Sequence, residues 1–319
     1  MILAGDIGGT HTRLALFDGK RKIQKEKKFL SQEYKDLETI LEEFLQGEKP
    51  VSACFGIAGP VRNQKSKVTN LSWTVDAKQV AQRLQIQKVS LLNDLEANGY
   101  GTLVLKKEEL FVLHEGKKVD ANRTLISAGT GLGEAGLFWN GKEHLPFASE
   151  GGHVDFAPRN ALEVDLLFYL EKKFGHVSYE RVVSGPGLLN LFSFLADTGK
   201  VKPSKELKEA MQEEDAAKVI SEWGVLKKDE ACVRALDWFL SLYGSEAGNA
   251  ALKFLAFGGV YLGGGIAPRL SEKMKEGAFF SSFVSKGRFE EVLASIPILI
   301  VMNEDAALLG AASYAMKGV

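Results

Sequence analysis

Cysteine is nearly absent. Cys54 and Cys232 are the only two in 319 residues, far apart and without metal-ligand spacing. That argues against a disulfide scaffold or a zinc module and fits a reducing compartment. An excess of one charge is also missing: 40 Lys and Arg stand against 41 Asp and Glu, a net charge of −1. Nothing in that balance argues for a nucleic-acid or membrane-surface partner. Long apolar runs are lacking too. The longest stretch, Phe254 to Ala267, is short and glycine-rich, so no membrane span is expected. No basic segment followed by an apolar core opens the sequence, so no secretory leader is expected and a cytoplasmic location is. No Gly-x-x-x-x-Gly-Lys-Ser/Thr run occurs, which removes the P-loop reading.

What is present is ordinary globular composition, 45% hydrophobic and 25% charged, in a chain too long for one core. Two domains are therefore expected. The periodicity predicts a helix within Glu33 to Leu45, with Leu37, Ile40, Leu41, Phe44 and Leu45 on one face. Val51 to Ala58 and Val89 to Leu92 read as strands, and Asp76 as a helix cap. Further helices are expected over Ala161 to Phe174, from Pro186, and over Glu230 to Phe254. Ser204 to Trp223 reads as charged, amphipathic and surface-lying. Gly244 and Gly248 allow a close neighbour, either in the same chain or in a partner subunit. The charged run Lys106 to Glu109 reads equally as a domain crossing or as a solvated helix start.

Two glycine turns stand out: Asp6-Ile7-Gly8-Gly9-Thr10 and Gly129-Thr130-Gly131-Leu132-Gly133. Each lies between apolar strands. Glycine lets a ligand approach the backbone, and successive N–H groups with threonine hydroxyls make an anion-binding concavity. The pair points to a duplicated fold gripping a polyphosphate, against two plain hairpin turns. Gly131 to Gly136 also matches Gly-x-Gly-x-x-Gly. A dinucleotide fingerprint must open a helix, however, and Ala135 to Trp139 continues as a strand.

Asn93-Asp94 follows a buried strand, where ligand groups collect in α/β sheets. Phosphoryl transfer needs positioning, charge neutralisation and an acceptor for the nucleophile's proton, and Asp94 suits that last task. It also suits a metal ligand or a helix cap. Glu150-Gly151-Gly152-His153 bends the backbone so that a carboxylate and an imidazole could face one cavity, which suits a polyol. A His–Glu metal site is the rival and lacks a clear third ligand.

These motifs together resemble bacterial glucokinases, of the hexokinase branch of the actin-like ATPase superfamily. The resemblance spans nearly the whole chain. It rests on Gly5 to Thr10, Asn93-Asp94, Ala128 to Gly133, Glu150 to Pro158, Gly175 to Val182, Ser184 to Gly187 and Gly263 to Pro268. It implies a two-lobed α/β fold around a cleft, with a small domain over 1–105 plus 304–319 and a large domain over 106–303. It implies glucose 6-phosphorylation by ATP, with Asp94 as general base. Asn93, Glu150, His153 and Glu180 would hold the other sugar hydroxyls. Gly5, Asp6, Ile7, Gly8, Gly9, Thr10, Thr130 and Gly131 would cradle phosphates, and Asp6 would position Mg²⁺ through water. Gly263, Gly264 and Gly265 would lie against adenosine. Glu180 comes from the resemblance alone. A homodimer is a further implication. The rivals are a kinase for another hexose or an N-acetylhexosamine, a non-catalytic sugar sensor, and a phosphatase acting on phosphate chains. Zinc-binding relatives carry a cysteine cluster after Glu-Gly-Gly-His, and Val154 to Pro158 has none.

Overall fold

A computed structural model describes residues 1–317, which divide into two compact units. The first comprises Met1–Glu109, Lys142–Ala148 and the described residues from Asn303 onward; the second comprises Leu110–Gly141 and Ser149–Met302. Among the described residues, no helix is long and apolar enough to cross a membrane.

The first unit holds β1 (Ile2–Ile7), β2 (His11–Phe17), β3 (Ile23–Leu30), β4 (Ser52–Ile57), β5 (Val61–Arg62), β6 (Lys65–Lys67), β7 (Thr74–Asp76) and β8 (Lys88–Asn93). The main sheet runs β3-β2-β1-β4-β8, and β5-β6-β7 form a small sheet. β1, β4 and β8 are parallel, and Ile7, Ile57 and Asn93 stand level in register, so three strands end together.

On one face of the main sheet, helix Leu37–Leu45 buries Leu37, Ile40, Leu41, Phe44 and Leu45, the five positions its periodicity marks. Asp36 caps that helix by accepting from the Thr39 N–H, and Asp76 caps Ala77–Leu84 by accepting from Lys78. Burying this apolar stripe is what stabilises so short a helix, since propensity alone would not. On the other face lie helices Asp94–Thr102 and Ala306–Met316. They cross at small residues: a Cβ on Gly101 would overlap Ala306 O, and one on Gly310 would overlap Ala97 O. Gly56 of β4 leaves the same room, since its Cβ would lie 2.9 Å from Ala97 Cβ.

The second unit holds β9 (Leu110–His114), β10 (Arg123–Ala128), β11 (Leu132–Trp139), β13 (Val260–Gly263) and β14 (Ile298–Val301), while β12 (His144–Ser149) straddles the division. Its strands neighbour one another in the order β11-β10-β13-β14-β9. β10 pairs antiparallel with β11 and parallel with β13, as β1 does with β2 and β4. The two units thus repeat one topological plan: a glycine hairpin whose first strand continues into a parallel sheet.

Helix Glu230–Lys253 runs through this unit's core. Its Gly244 and Gly248 lie against Phe279 O and Phe283 O, so their close neighbour is in the same chain. The stretch from Ser204 holds two helices, Lys205–Glu213 and Ala216–Val225. Asp215 interrupts it by capping the second helix, accepting the Lys218 N–H at 2.8 Å. Leu207, Val219 and Ile220 are buried, so the stretch is only partly a surface element.

Candidate active site

In the first unit, three loops leave the sheet at one edge because β1, β4 and β8 end level. These are Gly8–Thr10, the turn at Gly59, and Asn93-Asp94. Asn93 ties two of them to the helix that follows. Its Oδ1 accepts the Leu95 N–H at 2.9 Å, and its Nδ2 donates to Gly59 O at 3.2 Å. Asp94 is the first residue of helix Asp94–Thr102 and is half-buried, with Oδ1 3.0 Å from the Leu95 nitrogen.

The glycine turn after β1 is anchored from below. Gly8 N–H donates to His11 O, the Ser31 hydroxyl donates to Gly8 O at 2.8 Å, and Ser31 N–H donates to Thr10 O. Gly5 and Ile7 belong to the core rather than to the turn. A Cβ on Gly5 would meet Phe55 and Leu14 at 2.7 and 2.8 Å, and the Ile7 side chain is fully buried. Gly9 is small for an internal reason too, since its Cβ would lie 2.7 Å from Thr69 O. Thr10 is exposed. Asp6 sits opposite Arg13 in the β1–β2 ladder. Loss of solvent raises its carboxyl above the usual range, and the nearby Arg13 charge opposes that shift. Arg13 itself is paired to Glu26 and Asp305.

In the second unit, the site is organised on one peptide. Leu132 follows the turn Gly129-Thr130-Gly131. Its N–H donates to Glu180 Oε2 at 2.9 Å, and its carbonyl lies where a Cβ on Gly152 would overlap it. A Cβ on Gly131 would stand 2.6 Å from Glu180 Oε2, and one on Gly151 would overlap Glu134 Oε2. The two glycines of Glu150-Gly151-Gly152-His153 are therefore demanded by close packing on β11. Phe156 N–H to Val177 O and Tyr179 N–H to Val154 O then zip this segment to the one carrying Glu180. Glu150 and His153 are exposed, with Nε2 and Oε2 4.0 Å apart. Glu150, His153, Glu180, Thr130 and Gly131 are thus assembled around a single β-strand start.

A cavity of about 1020 Å³ opens beside the same turn. Gly129, Thr130 and Gly265 line it, with Pro186, Leu189 and Ile266 supplying apolar walls. Gly264 has φ +77°, and a Cβ there would overlap Ala128 O, so this break after β13 requires glycine. Gly263 ends β13 and is buried, whereas Gly264 and Gly265 are exposed. The cavity lies at the carboxyl ends of the parallel strands, where α/β sheets place their ligands.

The family model described as Glucokinase matches residues 3–318. A curated glucokinase from Nostoc sp. is 41% identical over 339 aligned residues, covering 99% of each chain. The chain belongs to the glucokinase family. Among solved structures, a glucokinase from an Antarctic psychrotroph is 30% identical, with a TM-score of 0.85 over 99% of this chain and 98% of that one. A glucokinase from Balamuthia mandrillaris solved in complex with glucose shares the fold at a TM-score of 0.81 and 21% identity, covering 98% and 93%. The mixed α/β architecture with several sheets is accordingly that of a sugar kinase.

For a glucokinase family member, sequence reasoning missed the walls of the cavity. Helix Ala216–Val225 looks like a solvated surface in sequence, and nothing local marks it as a lining element. Gly185 was marked only by its place in the Ser184-Gly185-Pro186-Gly187 motif. In the structure its N–H donates to Gly129 O at 2.8 Å and so braces the turn. Glu134, 1% exposed, was also missed, because a glutamate inside a strand reads as solvent-facing by default.

Proposed function

We propose that this chain transfers the γ-phosphoryl group of ATP to the 6-hydroxyl of glucose, giving glucose 6-phosphate and ADP. The observation that carries the reading is the assembly of Glu150, His153 and Glu180 around Leu132, immediately after the glycine turn Gly129–Gly131. Hydroxyl-binding groups and a phosphate-type turn sharing one peptide are what a kinase acting on a polyol needs. The two-lobed arrangement of actin-like ATPases is part of this proposal.

Asp94 takes the proton from the 6-hydroxyl as the hydroxyl attacks phosphorus. Its place at the carboxyl end of β8 is the ordinary position for such a group. Glu150, His153 and Glu180 hold the remaining hydroxyls. Asn93 spends one acceptor site and one N–H on the fold, which leaves one of each for sugar. The two glycine turns cradle phosphates, and the cavity beside Gly265 takes adenosine. The side chains of Ile7 and the core position Gly5 are not available to a ligand, so their part is limited to backbone and packing.

Mg²⁺ fits the donor set in this structure. It takes one or two carboxylates and completes its octahedron with water and phosphate oxygens. Asp6 offers one carboxyl whose desolvation a cation would offset. When bound, the ion neutralises charge on the phosphates.

The test is ADP formation from ATP against a panel of glucose, mannose, fructose and N-acetylhexosamines, with phosphate release followed when sugar is omitted. Sugar-dependent ADP formation greatest with glucose is expected. Phosphate release that ignores sugar, or no turnover with any sugar, would overturn the reading.

A further inference from the structure

Beneath the two turns that carry Glu150, His153 and Glu180 lies a polar cluster unused by the chemistry above. Glu134 on β11 is 1% exposed and Glu246 on helix Glu230–Lys253 is fully buried. Glu134 Oε1 is buried without a hydrogen-bond partner, and the Glu246 carboxylate is among the charges that raise the Glu134 carboxyl. A carboxyl buried without a donor, with a like charge acting on it, is held in its protonated form. Glu134 Oε2 lies where a Cβ on Gly151 would overlap it, so the Glu150–His153 turn sits directly on this carboxyl. Ser149 adds a second tie by donating its hydroxyl to Glu134 O at 3.0 Å.

Glu246 reaches the other turn. Its Oε2 accepts from Asn249 Nδ2 at 2.8 Å, and the same amide stands 2.9 Å from the Tyr179 hydroxyl, one residue before Glu180. Its Oε1 pairs with Lys253 Nζ at 3.0 Å. Lys286 completes the cluster at 2.6 Å from Asn249 Oδ1 and 3.1 Å from Ser245 Oγ.

We propose that Glu134 is held protonated beside the Glu246 carboxylate and that the two act as a positioning unit that seats both sugar-binding turns. The proposal rests on the reading that Glu150, His153 and Glu180 bind sugar. With the proton in place, the pair is a single negative charge answered by Lys253. Without it, two carboxylates repel in a water-poor site and the Gly151 turn, packed on Glu134, is displaced. The other groups acting on the pair are Tyr243, which faces Glu134, and Tyr179 and Lys286, which face Glu246. Arg159 acts on Lys286 but is itself paired to Glu163. Glu150 and His153 stand above, exposed. Burial and Glu246 together push the Glu134 carboxyl up to about 8, which places loss of the proton in an accessible range.

The experiment is the KM for glucose and kcat of the full-length enzyme from about pH 7 to about pH 9.5, in wild type, Glu134→Gln and Glu134→Ala. Wild type is expected to show a several-fold rise in glucose KM above about pH 8, with kcat shifting less. Gln keeps the shape of the protonated acid and stays uncharged at every pH. It should rescue the neutral-pH KM that Ala loses, and it should abolish the alkaline rise. The same alkaline rise in Glu134→Gln as in wild type, or equal loss in Gln and Ala, overturns the proposal.

Infrared difference spectra between wild type and Glu134→Gln keep the test independent of kinetics. A protonated carboxylic acid at neutral pH is expected in wild type, disappearing above about pH 8. If the variant does not fold, the wild-type pH titration of that band decides alone, and its absence overturns the proposal. Glu150→Gln measured in parallel separates the two readings. An unchanged glucose KM there removes Glu150 from sugar binding, whereas a raised KM with an unaltered Glu134→Gln profile removes only the carboxyl pair.

Discussion

Glu180 Oε2 accepts the backbone N–H of Leu132 at 2.9 Å, so a residue assigned to sugar also closes the glycine turn assigned to phosphate. Glu180→Ala is therefore expected to raise KM for both glucose and ATP, because it strands the Leu132 N–H and loosens Gly129–Gly131. Stranding a buried donor costs roughly 1–3 kcal/mol. Glu180→Gln keeps an acceptor for Leu132 and should spare the ATP side. Two-substrate steady-state kinetics on both variants check this. An ATP KM unaltered in the alanine variant would contradict it.

This coupling shows where the sequence was readable and where it was not. The helix Leu37–Leu45, the hairpin β10–β11 and the long helix Glu230–Lys253 follow from periodicity and turn residues, which are local signals. The glycine turns were legible as turns, but not the reasons for every glycine. Gly5 is small because Phe55 and Leu14 fill its Cβ space, and Gly151 because Glu134 does. Phe55 and Glu134 are distant in sequence from the glycines they press on, so no window reading can supply them. Glu180 has the same difficulty, since its partner Leu132 lies 48 residues earlier. The segment Lys142–Ala148 groups with the first unit although both its chain neighbours belong to the second, and no composition shift announces this.

Asp94→Asn is expected to lower kcat by about 10²–10⁴, the usual worth of a general base, with glucose KM changing far less. The fold should survive, because the cap of helix Asp94–Thr102 is Asn93 and not Asp94. Steady-state kinetics with a thermal melt of the same sample tests both halves. Near-full turnover in the variant would remove Asp94 from the base role.

Gly310→Ala tests the small-residue crossing that holds the Asp94 helix. In an exposed helix this change would stabilise by up to about 1 kcal/mol through propensity. Here the new Cβ would overlap Ala97 O, and the overlap term wins. Overpacking of a tight contact costs typically about 1–3 kcal/mol. A lower Tm with a reduced kcat is expected, since helix Asp94–Thr102 must shift. A Tm equal to or above that of wild type would show that the crossing yields without strain.

Glu134 gives the enzyme a stability profile whose sign can be worked out. Its carboxyl is pushed up from an ordinary 4.5 to about 8 in the folded protein, chiefly by burial and next by Glu246. Between those values the folded state holds a proton that the unfolded chain has released. Stability therefore falls as pH rises through that window, by up to about 1.4 kcal/mol per pH unit, and levels off above it. Lys286 works in the opposite sense. Burial lowers it from 10.5 to about 8, so its contribution to stability grows as pH rises through that higher window. Glu134→Gln removes the first effect and retains the second, which makes the difference between the two proteins the informative quantity. The Tm of Glu134→Gln minus that of wild type should increase from about pH 5 to about pH 8 and then stay level. Melts in matched buffers supply the measurement. Parallel curves across the whole range would mean that Glu134 carries no proton at neutral pH.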